Sequence, residues 1–201
     1  MIIGKETHQV PDTPTDSPRL KHVQCLDSQG LHRMAYWEWG DPANPRVLVC
    51  VHGLSRQGRD FDTLARAMCG EYRVICPDVV GRGHSDWLTD AMGYSVPAYV
   101  ADMVTLLARL QAETLHWVGT SMGGLIGLGL AALAGSPVSR LVLNDVGPAI
   151  APASLQRIGT YLGQPQHWAS EDEAADALWA ISQGFGPHSR AQWLALTRPQ
   201  L

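Results

Sequence analysis

Ser121 sits in the stretch Gly119-Thr120-Ser121-Met122-Gly123, and Gly124 follows it. A strand-like apolar run precedes the stretch, and an apolar, Gly/Ala-rich, helix-like run comes after it. Strand, Gly-x-Ser-x-Gly and helix in that order are what a nucleophile elbow requires. Such a turn is tight enough that the neighbours two residues either side of the serine must lack bulky side chains, and Gly119 and Gly123 meet that demand. The hydroxyl is then lifted above a sheet edge, where a base and a substrate carbonyl can reach it. A serine hydroxyl attacks well only when a base takes its proton. Taken alone, Ser121 also fits a plain helix N-cap.

Three more polar segments follow apolar runs. His52-Gly53-Leu54 comes after Val47–Val51, and the loop from Asp78 through Gly81, Arg82, Gly83 and His84 to Ser85 comes after Tyr72–Cys76. Asn144-Asp145-Val146-Gly147-Pro148 comes after Leu141–Leu143. Ligand sites of open α/β sheets form at the carboxyl ends of strands. Four polar loops on one rim carry more weight than any single motif.

The elements that must position these loops alternate along the chain. Leu20–Leu26 and Leu31–Trp39 are strand candidates joined by the turn sequence Asp27-Ser28-Gln29-Gly30. The unbroken apolar run Val47–Val51 predicts a strand covered on both faces. Phe61, Leu64, Ala65 and Met68 fall at i, i+3, i+4 and i+7, an amphipathic helix. Val100, Met103, Val104, Leu107 and Leu110 mark a second helix, with Pro97 near its start, where a missing N–H costs little. Leu115–Val118 predicts a strand, Met122–Ala134 a helix and Leu141–Leu143 a further strand. The alternation implies an α/β fold, a mostly parallel sheet with helices on both faces and an antiparallel hairpin at one edge.

Residues 1–18 carry three prolines and little apolar content, and read as a disordered arm. Residues 19–149 form the predicted core. Residues 150–201 change pattern: Ala153–Tyr161, Glu171–Ile181 and Ser189–Leu196 read as helices with no strand between them, a helical lid over the carboxyl edge. Tyr161, Leu162, Trp168, Leu178 and Trp179 supply its apolar content.

Composition narrows the function classes. A net charge of −4 and the lack of any Lys/Arg cluster argue against nucleic acid as a partner. Cys25, Cys50, Cys69 and Cys76 show no Cys-x-x-Cys pair and no metal-like spacing with histidine, so buried free thiols and a cytoplasmic location are expected. Leu115–Ser139 carries no charged residue, but its polar and glycine content favours a buried strand-turn-helix over a membrane span. Gly124, Gly127 and Gly129 resemble a dinucleotide loop at first glance. Inside a helix they fit better with close packing on the sheet, and no cofactor is expected.

The order His-Gly, Asp-x-x-Gly-x-Gly-x-Ser and Gly-x-Ser-x-Gly-Gly resembles the α/β-hydrolase superfamily, its esterase and carbon–carbon-bond hydrolase branches in particular. The resemblance spans residues 19 to 201 and specifies fold more than substrate. It implies that Ser121 is the nucleophile, with the backbone N–H groups of Leu54 and Met122 as oxyanion donors. Asp145, after the strand that follows the elbow, is where some branches place the acid; strand-end hydrogen bonding is the other reading. His52 reads as a support for its turn, His84 as a loop histidine and Asp78 as an organiser of its loop.

In this fold the triad runs Ser, then Asp or Glu, then His. Only His167 and His188 of the eight histidines follow Ser121, both within the lid-like region, so neither is expected to be the base. The chain therefore reads as a fragment whose sheet has an open apolar edge, available for self-association. The expected chemistry is hydrolysis of a small carboxylic ester or thioester through an acyl-enzyme. Hydrolysis of a carbon–carbon bond in a dienoic ketone or β-diketone is the enzymatic alternative. A truncated, non-catalytic binder of a small ligand or partner is the other.

Overall fold

The computed structural model describes residues 17–160, 162–163 and 167–201, so most of the expected N-terminal arm and Tyr161 lie outside it. Six strands form one sheet in the order β1-β2-β4-β3-β5-β6. They are β1 (Arg19–Asp27), β2 (Gly30–Trp39), β3 (Arg46–Val51), β4 (Arg73–Pro77), β5 (Thr114–Thr120) and β6 (Val138–Asn144). The β1/β2 and β2/β4 pairs are antiparallel, and the other three pairs are parallel. The predicted hairpin turn forms because the Asp27 carboxylate accepts the N–H groups of Gln29 and Gly30 at 2.7 and 3.0 Å.

Helices α1 (Asp62–Met68), α2 (Val96–Leu110) and α3 (Met122–Ala131) connect the parallel strands. One sheet face carries α2 and α3, whose Met103, Leu106, Ile126 and Leu130 pack with Val47, Val49 and Trp117. The other face carries α1, where Phe61 and Ala65 meet Trp39, Leu48 and Cys50. β3 faces both layers, which is why its sequence is apolar at successive positions. Fully buried Glu38 ties hairpin to sheet through Lys21 at 2.7 Å and Arg73 at 2.7 Å.

Three predicted boundaries shift. β6 runs from Val138 to Asn144, longer than the apolar triplet Leu141–Leu143, because a bulge at Ser139, whose hydroxyl donates to the Leu115 carbonyl at 2.9 Å, interrupts the alternation and leaves Ser139 and Arg140 both exposed. α3 stops at Ala131 rather than Ala134, ahead of a turn in which Gly135 takes φ +74°. α4 (Pro152–Gly159) ends before Tyr161, and none of its residues is buried. α5 (Glu171–Ile181) and α6 (Arg190–Thr197) pair through Trp179 and Trp193, with ring centroids 5.0 Å apart. Trp179 thus serves helix–helix packing rather than lining open space. The four cysteines are free thiols, Cys69 half-buried and the others buried. No helix among the described residues is long and apolar enough to cross a membrane.

Candidate active site

The chain leaves β3 toward β4 on one side and leaves β5 toward β6 on the other. The crevice between β3 and β5 is therefore the point where strand order reverses, the place where open α/β sheets bind ligands. Val51 pairs with Gly119 across it, so Gly53 and Ser121 each lie two residues beyond a matched pair. The two loops touch: a Cβ built on Gly53 would lie 3.8 Å from the Ser121 Cβ.

Ser121 has φ +49° and ψ −111°, a combination that costs a non-glycine residue about 1–3 kcal/mol. The surrounding contacts hold it there. Its N–H donates to the Asn144 carbonyl at 2.9 Å, and its carbonyl accepts the N–H groups of Gly124 and Leu125 at 2.9 and 3.1 Å. The flanking glycines have no room for a side chain: a Cβ on Gly119 would overlap the Gly123 carbonyl, and one on Gly123 would overlap the Val51 carbonyl. Gly127 likewise lies against Trp117 and Leu141, as expected for close packing on the sheet. Ser121 occupies the cap position of α3, yet its side chain makes no capping hydrogen bond. The plain N-cap reading therefore leaves the hydroxyl unexplained.

Leu54 and Met122, the expected oxyanion donors, each follow one residue of the Gly53–Ser121 contact. Met122 is the first residue of α3, where a helix N–H has no intrahelical acceptor and the helix dipole is positive. Leu54 follows Gly53 on the β3 loop and is half-buried. Arg82 joins the two. Its Nε donates to the Leu54 carbonyl at 3.0 Å, and its Nη1 donates to the Val80 carbonyl and the Tyr99 hydroxyl at 2.8 and 3.1 Å. Its Nη2 lies 3.8 Å from the Met122 sulfur. In the sequence Arg82 stands as one more loop cation. A cation between two glycines on the rim was the available signal.

His52 and Asp78 support the loops, as expected. His52 is buried, accepts the Val79 N–H at Nε2 (3.0 Å) and donates from Nδ1 to the Gly53 carbonyl (2.7 Å). Burial pushes its pKa down to about 3, so it stays neutral. The Asp78 carboxylate accepts the N–H groups of Gly58 and His84 at 2.8 and 2.9 Å, and burial raises its pKa. His84 is exposed and its ring packs edge-on against Trp37.

Asp145 follows the Asn144 whose carbonyl holds Ser121. It is exposed and has φ +54°. His188 donates to or accepts from nothing near Ser121: its Nδ1 lies 3.0 Å from the Gly186 carbonyl, and its ring packs against Trp193. His167 is exposed on the segment between α4 and α5. The C-terminal helices reach the rim through Arg56, which bonds Asp60 at 2.7 Å and the Leu196 carbonyl at 3.1 Å. A cleft of about 400 Å³ opens there between Trp37, Gln57, Arg59, His84, Ala195 and Arg198, away from Ser121.

Comparison with known proteins agrees with this architecture. The family model described as alpha/beta hydrolase fold matches residues 46–186. A Cupriavidus necator protein named 3-hydroxybutyrate-oligomer hydrolase is 63% identical over 180 residues, which cover 90% of this chain and 61% of that protein. A Mycobacterium tuberculosis esterase is 36% identical over 177 residues, 85% of this chain and 54% of its own length. The crystal structure of an α/β hydrolase from Novosphingobium aromaticivorans superposes with a TM-score of 0.77 at 37% identity, covering 89% of this chain and 62% of that one. The chain thus spans between half and two thirds of the length of these relatives.

Proposed function

This chain belongs to the α/β-hydrolase fold family, and from that premise we propose that it is a serine esterase with Ser121 as its nucleophile. The observation that carries the reading is Ser121 itself, an uncapped hydroxyl held at a strained turn against Gly53. In this reading the Ser121 oxygen attacks an ester carbonyl, and the Leu54 and Met122 N–H groups stabilise the oxyanion. Each such donor contributes roughly 3 kcal/mol in the transition state. The alcohol leaves, and water releases the acid from the acyl-enzyme. Asp145 is the candidate acid. The base is left unassigned, because His188 bonds the Gly186 carbonyl and His167 lies between α4 and α5.

The substrate class we favour is a short ester of a small hydroxy acid, with 3-hydroxybutyrate oligomers first because of the name of the 63%-identical relative. Thioesters of similar acyl groups come next. Helices α4 to α6 act as a lid over the carboxyl edge, anchored through Arg56.

The test uses the protein expressed with its whole reading frame. It is offered a 3-hydroxybutyrate dimer, a butyryl thioester and a dienoic ketone. Cleavage of the dimer with a burst of the first product is expected, falling by roughly 10³-fold or more in Ser121→Ala. Unchanged turnover in that variant refutes the nucleophile. Faster cleavage of the dienoic ketone moves the site to carbon–carbon bonds. Binding without turnover leaves a non-catalytic binder.

A further inference from the structure

The β1–β2 hairpin and α2 enclose a second cluster of reactive side chains, at the opposite edge of the sheet from β6. Cys25 pairs directly with His32 across the hairpin, so their side chains share a face, and Asp27, two residues along, belongs to that face as well. Helix α2 covers the face and supplies Asp102. The His32 Nε2 lies 3.0 and 3.1 Å from the two Asp102 oxygens, and the Cys25 sulfur lies 3.9 Å from the Asp102 carbonyl. One donor atom from each of Cys25, His32 and Asp102 can be chosen so that all lie within 4.8 Å of one another. The three residues are 1%, 7% and 3% exposed.

A plain His–Asp pair that pins α2 to the hairpin accounts for Nε2 only. The other ring nitrogen, Nδ1, is buried without a hydrogen-bond partner, and the Asp27 carboxylate stands off at 3.8 Å. Leaving such a group unsatisfied costs about 1–3 kcal/mol. A cavity of about 230 Å³ opens beside the His32–Asp102 pair, lined by Asp27, Ser28, His32 and Asp102 among others. With Nε2 turned to an ion shared with Cys25 and Asp102, Nδ1 is left facing the Asp27 carboxylate at 3.8 Å, the side on which a carboxylate ordinarily holds a metal-bound imidazole. Thiolate, imidazole and carboxylate together select zinc over magnesium or calcium. Donors sharing one zinc ion lie about 3–4 Å apart, so closure needs side-chain movements of about an ångström.

We propose that Cys25, His32 and Asp102 form a zinc site that cross-links the hairpin to α2, separate from the Ser121 crevice. Cobalt(II), a spectroscopic stand-in for zinc, tests this on the intact chain. The expected result is a sulfur-to-cobalt charge-transfer band that saturates at one ion per chain and is bleached by added zinc. The band is lost in Cys25→Ser and kept in Cys69→Ser. No band in the unmodified protein, or a band that survives Cys25→Ser, overturns the site. Should Cys25→Ser fail to fold, Asp102→Asn takes its place, and a cobalt spectrum and affinity unchanged there overturn it equally.

Discussion

His52 shows how a residue next to the proposed nucleophile can matter without touching substrate. Its neutral ring bridges the Val79 N–H and the Gly53 carbonyl, and so fixes the glycine that abuts Ser121. Burial holds its pKa at about 3, against 6.5 in an unfolded chain. Between those values the unfolded state takes up a proton that the folded state refuses. This contribution to stability is therefore complete above about pH 6.5 and falls with pH, on the order of 1.4 kcal/mol per unit. Urea unfolding from neutral pH to about pH 5 should show this slope, and His52→Gln should flatten it, because glutamine accepts the Val79 N–H without titrating. Equal slopes in both proteins would mean that His52 is protonated in the native state. Ser121 is the complementary case. Its backbone strain is offset by three main-chain hydrogen bonds and by two glycines with no room for a Cβ.

At the scale of elements, the site depends on two loops keeping a fixed separation, and Arg82 spans them. It holds the Leu54 carbonyl, touches the Met122 sulfur and braces against Tyr99 of α2. Removing it should let the Leu54 N–H, a proposed oxyanion donor, drift, while taking away no group proposed to bind substrate. Arg82→Ala is predicted to lower kcat roughly ten- to hundredfold with KM little changed, and Arg82→Lys to recover only part of the loss. Steady-state kinetics on a 3-hydroxybutyrate ester check this. A raised KM at unchanged kcat would instead make Arg82 a substrate-binding group. The sequence revealed most of this framework wherever one pattern was decisive. The unbroken apolar run of β3 announced a central strand, and Gly119 and Gly123 announced the elbow. It fell short where tertiary contacts decide. Ser139 and Arg140 concealed the first half of β6, since the bulge at Ser139 breaks its alternation. Arg82 looked like any loop cation, because its role exists only once Leu54 and Met122 meet. The His32–Asp102 pairing, 70 positions apart in sequence, left no local signal.

For the whole molecule, the exposed flank of β6 is the feature with the clearest consequence. It is the last strand of the sheet, and Val142 on it is 54% exposed. Unpaired strand edges recruit other strands, and a charge placed on them blocks the pairing. The 201-residue chain is therefore predicted to self-associate with rising concentration, and Val142→Lys to shift it toward monomer in sedimentation velocity. Identical sedimentation of the two would remove β6 as the contact. At the amino edge of the sheet the hairpin is instead secured by buried Glu38 and its cationic partners. The central claim concerns the crevice between these edges: Ser121 accepts an acyl group there. The most direct measurement is peptide mapping after treatment with a fluorophosphonate, on folded protein expressed with its whole reading frame. The account predicts a single adduct on the peptide containing Ser121, absent from Ser121→Ala. A folded sample that stays unlabelled, or that carries the label on a different serine, contradicts it.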